Sequence, residues 1–221
     1  MDSEGKIIAV VGAQSSGKST LVEQIAEKNP LWKVFYEGES FPKFVTTAFV
    51  DPHKRIHAFL YFHNKWVEQY IEAERLRDQG KVVILDNYWL SNLFYIDTLI
   101  NDDEKEQMIK LIENTARLFS PPDGIIYLDV DIKTMIQRIR ERITKGDRFW
   151  ENTEEWLSEP ISVKRRYDEF FDGSGSMRWL SEETKILKIK ATDKDMLRHS
   201  LEFIHQCHSS LTVKILEKSM Q

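Results

Sequence analysis

Cysteine is nearly missing from this chain of 221 residues, with Cys207 alone. One thiol excludes an intramolecular disulfide framework and fits a reducing compartment, and helix packing is the role expected of it. No apolar run reaches membrane-spanning length, and the opening Met1-Asp-Ser-Glu-Gly5 lacks the basic-then-apolar design of a leader. A cytoplasmic protein without a membrane partner is the expectation. Positive charge is not in excess. The 31 Lys and Arg residues face 36 Asp and Glu, a formal net charge of −5, which argues against a general nucleic-acid-binding surface. Internal repeats, low-complexity stretches and metal-ligand cysteine clusters are absent too. The remaining composition is that of an ordinary globular protein, long enough for one sizeable α/β domain over 1–221 and short for two.

One stretch organises the rest. Gly12-Ala13-Gln14-Ser15-Ser16-Gly17-Lys18-Ser19-Thr20 has the phosphate-loop spacing G-x-x-x-x-G-K-S-T. Its glycines let successive backbone N–H groups turn inward around an anion, and a following helix would point its positive dipole end at the same place. Lys18 is placed to reach the β- and γ-phosphates of ATP, and the Ser19 hydroxyl to ligate Mg²⁺. The context agrees: residues 7–11 form an apolar run of buried-strand type. After the loop Leu21, Val22 and Ile25 recur at helical spacing until Asn29-Pro30.

Strand and helix patterns alternate from there. Residues 32–36 resemble a second strand, after which Glu37 and Glu39 arrive near the loop, because ligands of open α/β sheets sit beyond the carboxyl ends of strands. Residues 40–50, with three phenylalanines, are a loop or short helix walling a pocket. Asp51 and Pro52 read as N-cap and first position of a helix reaching about residue 77. Its apolar stripe is Ile56, Leu60, His63, Val67 and Ile71, with His63 as a satisfied core histidine; Tyr61 and Lys65 fall on the other face. Val82-Val-Ile-Leu85 delivers Asp86 toward the phosphate site as a Mg²⁺ or substrate ligand. Helices follow from 87 and over 102–119, then the strand ending at Asp129. Arg138, Arg140, Arg142, Lys145 and Arg148 cluster as a clamp for polyphosphate, in a lid over about 138–152. A helix over 154–171, a strand over 185–190 and a helix over 195–216 complete one parallel sheet covered on both faces.

Three blocks together resemble thymidylate kinase, within the P-loop nucleoside and nucleotide kinases. The first is the phosphate loop. The second runs F-L-Y-F-H-N-K-W-V-E-Q from Phe59 and G-K-V-V-I-L-D-N-Y-W-L-S-N-L-F-Y to Tyr95. The third runs from Pro122-Asp-Gly-Ile-Ile-Tyr-Leu-Asp-Val130 through the arginines to Asp147-Arg148-Phe149. The resemblance implies a three-layer P-loop kinase fold, with a five-stranded parallel sheet, helices on both faces and an arginine-rich lid. It implies a homodimer and an enzyme that uses ATP and Mg²⁺ to convert a nucleoside monophosphate, dTMP first, to its diphosphate. Position by position, Tyr61 would stack on the base and Lys65 hold the monophosphate. Asp86 would sit beside the transferred group and metal, with Asn87, Tyr88 and Ser91 in the acceptor element. Arg140, Arg142 and Arg148 would be lid or acceptor-side cations, Arg138 would bind ATP with the phosphate loop, and Lys18, Asp86, Arg140 and Arg142 would carry catalysis.

The chain departs from that pattern at Asn87, where the family has an arginine, at Gln14, where an acidic residue is usual, and at Glu37-Gly38-Glu39-Ser40-Phe41-Pro42, which replaces an arginine-containing segment. These departures keep open a deoxyribonucleoside kinase with Glu37 or Glu39 as base. A nucleotide-dependent switch is the third reading. His63-Asn64-Lys65-Trp66 has a superficial likeness to a guanine-specificity N-K-x-D but lacks the aspartate and lies inside a helix pattern.

Overall fold

The computed structural model describes residues 4–38, 41–145, 154–173 and 179–218. Glu39 and Arg148 lie outside the described residues, as does the lid beyond residue 145 as far as 153. The apolar runs become five strands: β1 (Lys6–Val11), β2 (Lys33–Phe35), β3 (Val82–Asp86), β4 (Gly124–Asp129) and β5 (Lys185–Lys190). All neighbours pair in parallel, in the order β2-β3-β1-β4-β5. β1, β3 and β4 are buried along their whole length, because helices cover the sheet on both sides. Side chains alternate between faces along each strand. Ile7, Ala9, Val11, Val83, Leu85, Ile125 and Tyr127 therefore join one core, and Ile8, Val10, Ile84, Ile126, Leu128 and Ile189 the other.

The second core is closed by α1 (Lys18–Lys28) through Leu21, Val22 and Ile25, and by α8 (Met196–Lys218) through Phe203, Ile204 and Cys207. Cys207 packs on Gly124, where an added Cβ would come within 2.9 Å of its sulfur. Burial pushes this thiol up to about 11, so it serves as the packing residue expected. The larger core is built by α2 (Lys43–Val50), α3 (Arg55–Asp78), α4 (Asn92–Leu99), α5 (Asp102–Ala116), α6 (Ile132–Thr144) and α7 (Glu154–Asp172). The result is the three-layer α/β P-loop kinase fold. Among the described residues no helix is long and apolar enough to cross a membrane.

Two local differences from expectation bear on the site. A single 3-10 turn, Pro52–Lys54, precedes α3, and Asp51 caps that turn by accepting from the His53 N–H at 3.1 Å. The buried face of α3 is centred on Phe59, Phe62, His63, Trp66, Tyr70 and Ala73, while Ile71 is 55% exposed. Aromatic residues at 59, 61, 62, 66 and 70 occupy a wide arc of the helix. Period alone fixes the width of such an arc, and packing of the largest rings fixes its centre.

Candidate functional site

Between β1 and α1 the chain turns from a strand's carboxyl end into a helix N-terminus. Gly12 is demanded by crowding, since a Cβ there would lie 2.7 Å from the Leu128 carbonyl oxygen. Gly17 is demanded by its backbone, at φ +99°, and Ser15 also takes a left-handed conformation at φ 58°. The turned-in amides and the start of α1 form an anion-binding concavity. Lys18 Nζ donates to the carbonyls of Gly12 at 2.9 Å and Ala13 at 3.3 Å.

Ser19 Oγ donates to Asp86 Oδ2 at 2.8 Å. Asp86 is 1% exposed, and its buried Oδ1 has no hydrogen-bond partner among the described residues. A buried polar atom is normally paired, so an orphaned carboxylate oxygen marks a place that a ligand completes. A carboxylate and a hydroxyl side by side are hard oxygen donors of the kind Mg²⁺ takes alongside phosphate oxygens, so these residues fit that ion.

The arginines separate by helical phase. Arg138 lies against the loop: Nη1 donates to the carbonyls of Ser15 and Ser16 at 3.1 Å each, and Nη2 to that of Ala191 at 3.4 Å. Arg142, one turn further on α6, shares its face and lines the cleft. Arg140, two residues from each, is exposed on the other side of α6 with Ile136, Gln137 and Glu141. Residues two apart on a helix do not face the same way, so two of the three arginines on α6 point to the cleft.

The cleft has a volume of about 550 Å³. Gln14 to Thr20, Arg138 and Arg142 line its polar part. Its apolar wall includes Phe41, Phe49, Phe62, Trp66, Tyr95, Leu99, Pro160 and Val163, and Glu37, Asn92, Thr98 and Glu159 are among the rest of the lining. Phe41 and Phe49 belong to the stretch expected to wall a pocket.

Of the acceptor-side residues named from sequence, Glu37 lines the cleft; Tyr61, Lys65, Asn87, Tyr88 and Ser91 are absent from its lining. Tyr61 packs edge-on against Phe44, with ring centroids 5.7 Å apart. Lys65 Nζ donates to the Glu37 carbonyl oxygen and sits 6.0 Å from the Tyr61 ring centre. The α3 side chains in the cleft are their sequence neighbours, Phe62 and Trp66, as the centring of the buried face requires. Asn87 adopts φ 76°, and its Oδ1 accepts from the Tyr88 N–H at 3.1 Å and from the Ser91 hydroxyl. It shapes the turn after β3. Tyr88 is buried between Tyr70 and Trp89, and burial pushes its phenol far above the ordinary range.

Sequence reasoning missed Asn92, Tyr95, Glu159 and Pro160 in the lining. Asn92 alone carried a readable signal, as an amide within the apolar run Leu90-Ser-Asn-Leu-Phe94.

Among solved structures, deoxyadenosine kinase from M. mycoides with its products dCMP and a flexible dCDP bound aligns with a TM-score of 0.71 at 18% identity, covering 90% of this chain and 99% of that chain. The same enzyme with bound dATP gives identical figures. With bound dCTP it aligns at a TM-score of 0.65 and 17% identity, over the same shares of the two chains. At such identity the likeness shows the fold. No curated protein matches significantly by sequence. A family model described as AAA domain matches residues 7–171, most of the chain, from β1 and the phosphate loop into α7, and the chain accordingly belongs to the AAA domain family.

Proposed function

We propose that the protein is a nucleoside kinase, transferring the terminal phosphoryl group of ATP to a hydroxyl of a deoxyribonucleoside. The observation that carries this reading is the exchange of roles at the end of β2. Glu37 lines the cleft with the phosphate loop, while Lys65, the cation a monophosphate would need, is absent from the lining and donates to the Glu37 carbonyl. A hydroxyl acceptor profits from a general base, whereas a monophosphate is already a competent nucleophile at neutral pH. The fold likeness to a deoxyadenosine kinase supports the same reading.

In this mechanism the loop amides and Lys18 hold the donor β- and γ-phosphates, Lys18 exchanging the carbonyls of Gly12 and Ala13 for phosphate oxygens. Ser19 and Asp86 would hold Mg²⁺, which would supply neutralisation of phosphate charge. The aromatic wall of Phe41, Phe62 and Trp66 takes the planar base. The Glu37 carboxylate accepts the hydroxyl proton as the new O–P bond forms, while the bond to the β-phosphate oxygen breaks and its electron pair leaves with ADP. Arg142 faces the charge that spreads over the transferred group.

Arg142 also sustains a second reading, a monophosphate kinase acting on dTMP, because it is a cleft cation that an acceptor phosphate could meet. Steady-state rates with Mg·ATP against a panel of nucleosides and their monophosphates decide between the two. The nucleoside reading expects Glu37→Gln to lose about a hundredfold or more in kcat, with Lys65→Ala within a few-fold of the parent. Turnover of monophosphates alone, tolerant of Glu37→Gln, would replace it by the second.

A further inference from the structure

One imidazole interrupts the apolar face of α3. His63 is 3% exposed, and its ring lies 6.3 Å from that of Phe59, with 4° between the planes. Both nitrogens are engaged. Nδ1 is 3.0 Å from Asn92 Nδ2, and Nε2 is 3.1 Å from Thr115 Oγ1. The Thr115 hydroxyl also donates to the Leu111 carbonyl at 2.9 Å.

A hydroxyl has a single proton. With that proton on the Leu111 carbonyl, Oγ1 can only accept from His63, so the imidazole carries its hydrogen on Nε2. Nδ1 is then a lone pair, and the group Asn92 turns toward it must be the amide N–H. The chain of donors runs one way, Asn92 to His63 to Thr115 to Leu111, and ties α4, α3 and α5 together. Asn92 lines the cleft, and its Oδ1 bonds no described residue. Reversing the chain would turn the Thr115 proton away from Leu111, move the imidazole hydrogen to Nδ1 and rotate the carboxamide. One hydrogen bond would be lost. Protonating His63 would force the same rotation, and burial, which holds its pKa below the ordinary value, opposes that.

We propose that this polarised chain locks the Asn92 carboxamide with its oxygen toward the cleft, so that the site selects a base offering a ring N–H, as uracil, thymine and hypoxanthine do, over one offering a ring lone pair, as cytosine and adenine do. His63 and Thr115 act as positioning residues, reaching the ligand only through Asn92. The inference rests on the nucleoside reading and adds the chemical class of the base.

The test is equilibrium binding without ATP, followed by tryptophan fluorescence, since Trp66 lines the same cleft. Two size-matched pairs serve as probes: deoxyuridine with deoxycytidine, and deoxyinosine with deoxyadenosine. The ring N–H member of the better-bound pair should bind about tenfold more tightly, because the other member leaves two acceptors facing each other. Thr115→Val removes the group that polarises the chain and should reduce the preference to about threefold or less, and Thr115→Ser should retain it. Asn92→Ala, which leaves α3 and α5 untouched, should abolish it and stands in if the valine variant does not fold. Equal binding within both pairs, the opposite preference, or a preference that survives Thr115→Val or Asn92→Ala in a folded protein overturns the proposal. Failure of all four nucleosides to bind a protein that binds ATP overturns the nucleoside-kinase reading itself.

Discussion

Asp86 and Asp129 end the two strands that flank β1, and in sequence they look alike, each an acid closing an apolar run. Both are buried, at 1% and 5% exposure. Their surroundings are opposite. Among the described residues Asp86 meets one hydroxyl, that of Ser19, and keeps an oxygen without a partner. Asp129 is saturated with cations: Lys164 at 3.1 Å, Lys190 at 2.5 Å and Lys188 at 3.7 Å. Lys164 also pairs with Asp168, which accepts from the Tyr127 hydroxyl at 2.8 Å, and Lys188 pairs with Asp172. Burial alone would raise the pKa of Asp129, but the hydrogen bonds of Lys190 and Lys164 outweigh it and hold the carboxyl below the ordinary carboxylate range. A strand-end acid is thus structural where its counter-ions are complete, and a site where its bonding capacity is left open.

The contrast can be broken most sharply at Asp86. Asp86→Asn should lower phosphoryl transfer about a thousandfold, and Lys18→Ala at least about a hundredfold, with little change in melting temperature. A folded Asp86→Asn enzyme with near-normal kcat would remove the distinction. Asp129→Ala should do the reverse. It takes one carboxylate from the Lys164 ammonium, which is 3% exposed, leaves it with Asp168, and should cost about 1.5–3 kcal/mol in a urea titration. The folded fraction should keep its turnover within about threefold. Replacing Lys164 by Met in the same chain should recover much of the loss, since the buried charge then goes with its partner.

Helical phase gives a smaller test. Arg142→Ala should reduce kcat by about ten- to a hundredfold, while Arg140→Ala, on the outer face of α6, should stay within about twofold. Equal effects from the two would mean that α6 turns over during the reaction.

The smallest effect is on stability against pH. The folded-state pKa of His63 lies below its ordinary 6.5 because of burial, so its contribution is complete above that value. It is lost as pH falls from there through the depressed folded value, with a slope of at most about 1.4 kcal/mol per pH unit. The Asp129 network is silent in this window, because its carboxyl titrates below 3.8. Urea midpoints at pH 7.5 and 5.5 should therefore converge in His63→Phe more than in the Asp129 variants.

The sheet, the phosphate loop and the burial of His63 were legible in the sequence because each rests on a local rule: buried strands read as apolar runs, the anion nest needs its glycines, and a lone imidazole on an apolar stripe finds partners. The acceptor side was less legible. Tyr61 and Lys65 differ from Phe62 and Trp66 by one position, about 100° around a helix, and the helix carries aromatic rings on both sides of that step. Which ring enters the cleft is settled by α2 and α4 packing against α3, a contact no local pattern encodes. Asn87 shows the same limit. The sequence marks it as a departure from the thymidylate kinase pattern, but its left-handed backbone and its bond to Ser91 exist only once β3 is followed by the turn at Trp89–Ser91. The distinction between Asp86 and Asp129 depended on lysines from α7 and β5, far along the chain.

The order of the sheet also sets when the site comes into being. β1 is made first and lies at the centre, where Lys6 pairs with Val82 and Ile8 with Gly124. The loop after β1 takes its shape against Leu128, at the far end of β4. During synthesis, at roughly 5–20 residues per second, the loop sequence therefore waits for most of the chain before it can bind an anion. Its closure is a late, long-range event, of the kind that slows folding. A nucleotide present during refolding has nothing to seize in the early chain. It should leave the rate of folding nearly unchanged and slow unfolding instead, acting as a lock on the finished sheet and not as its template.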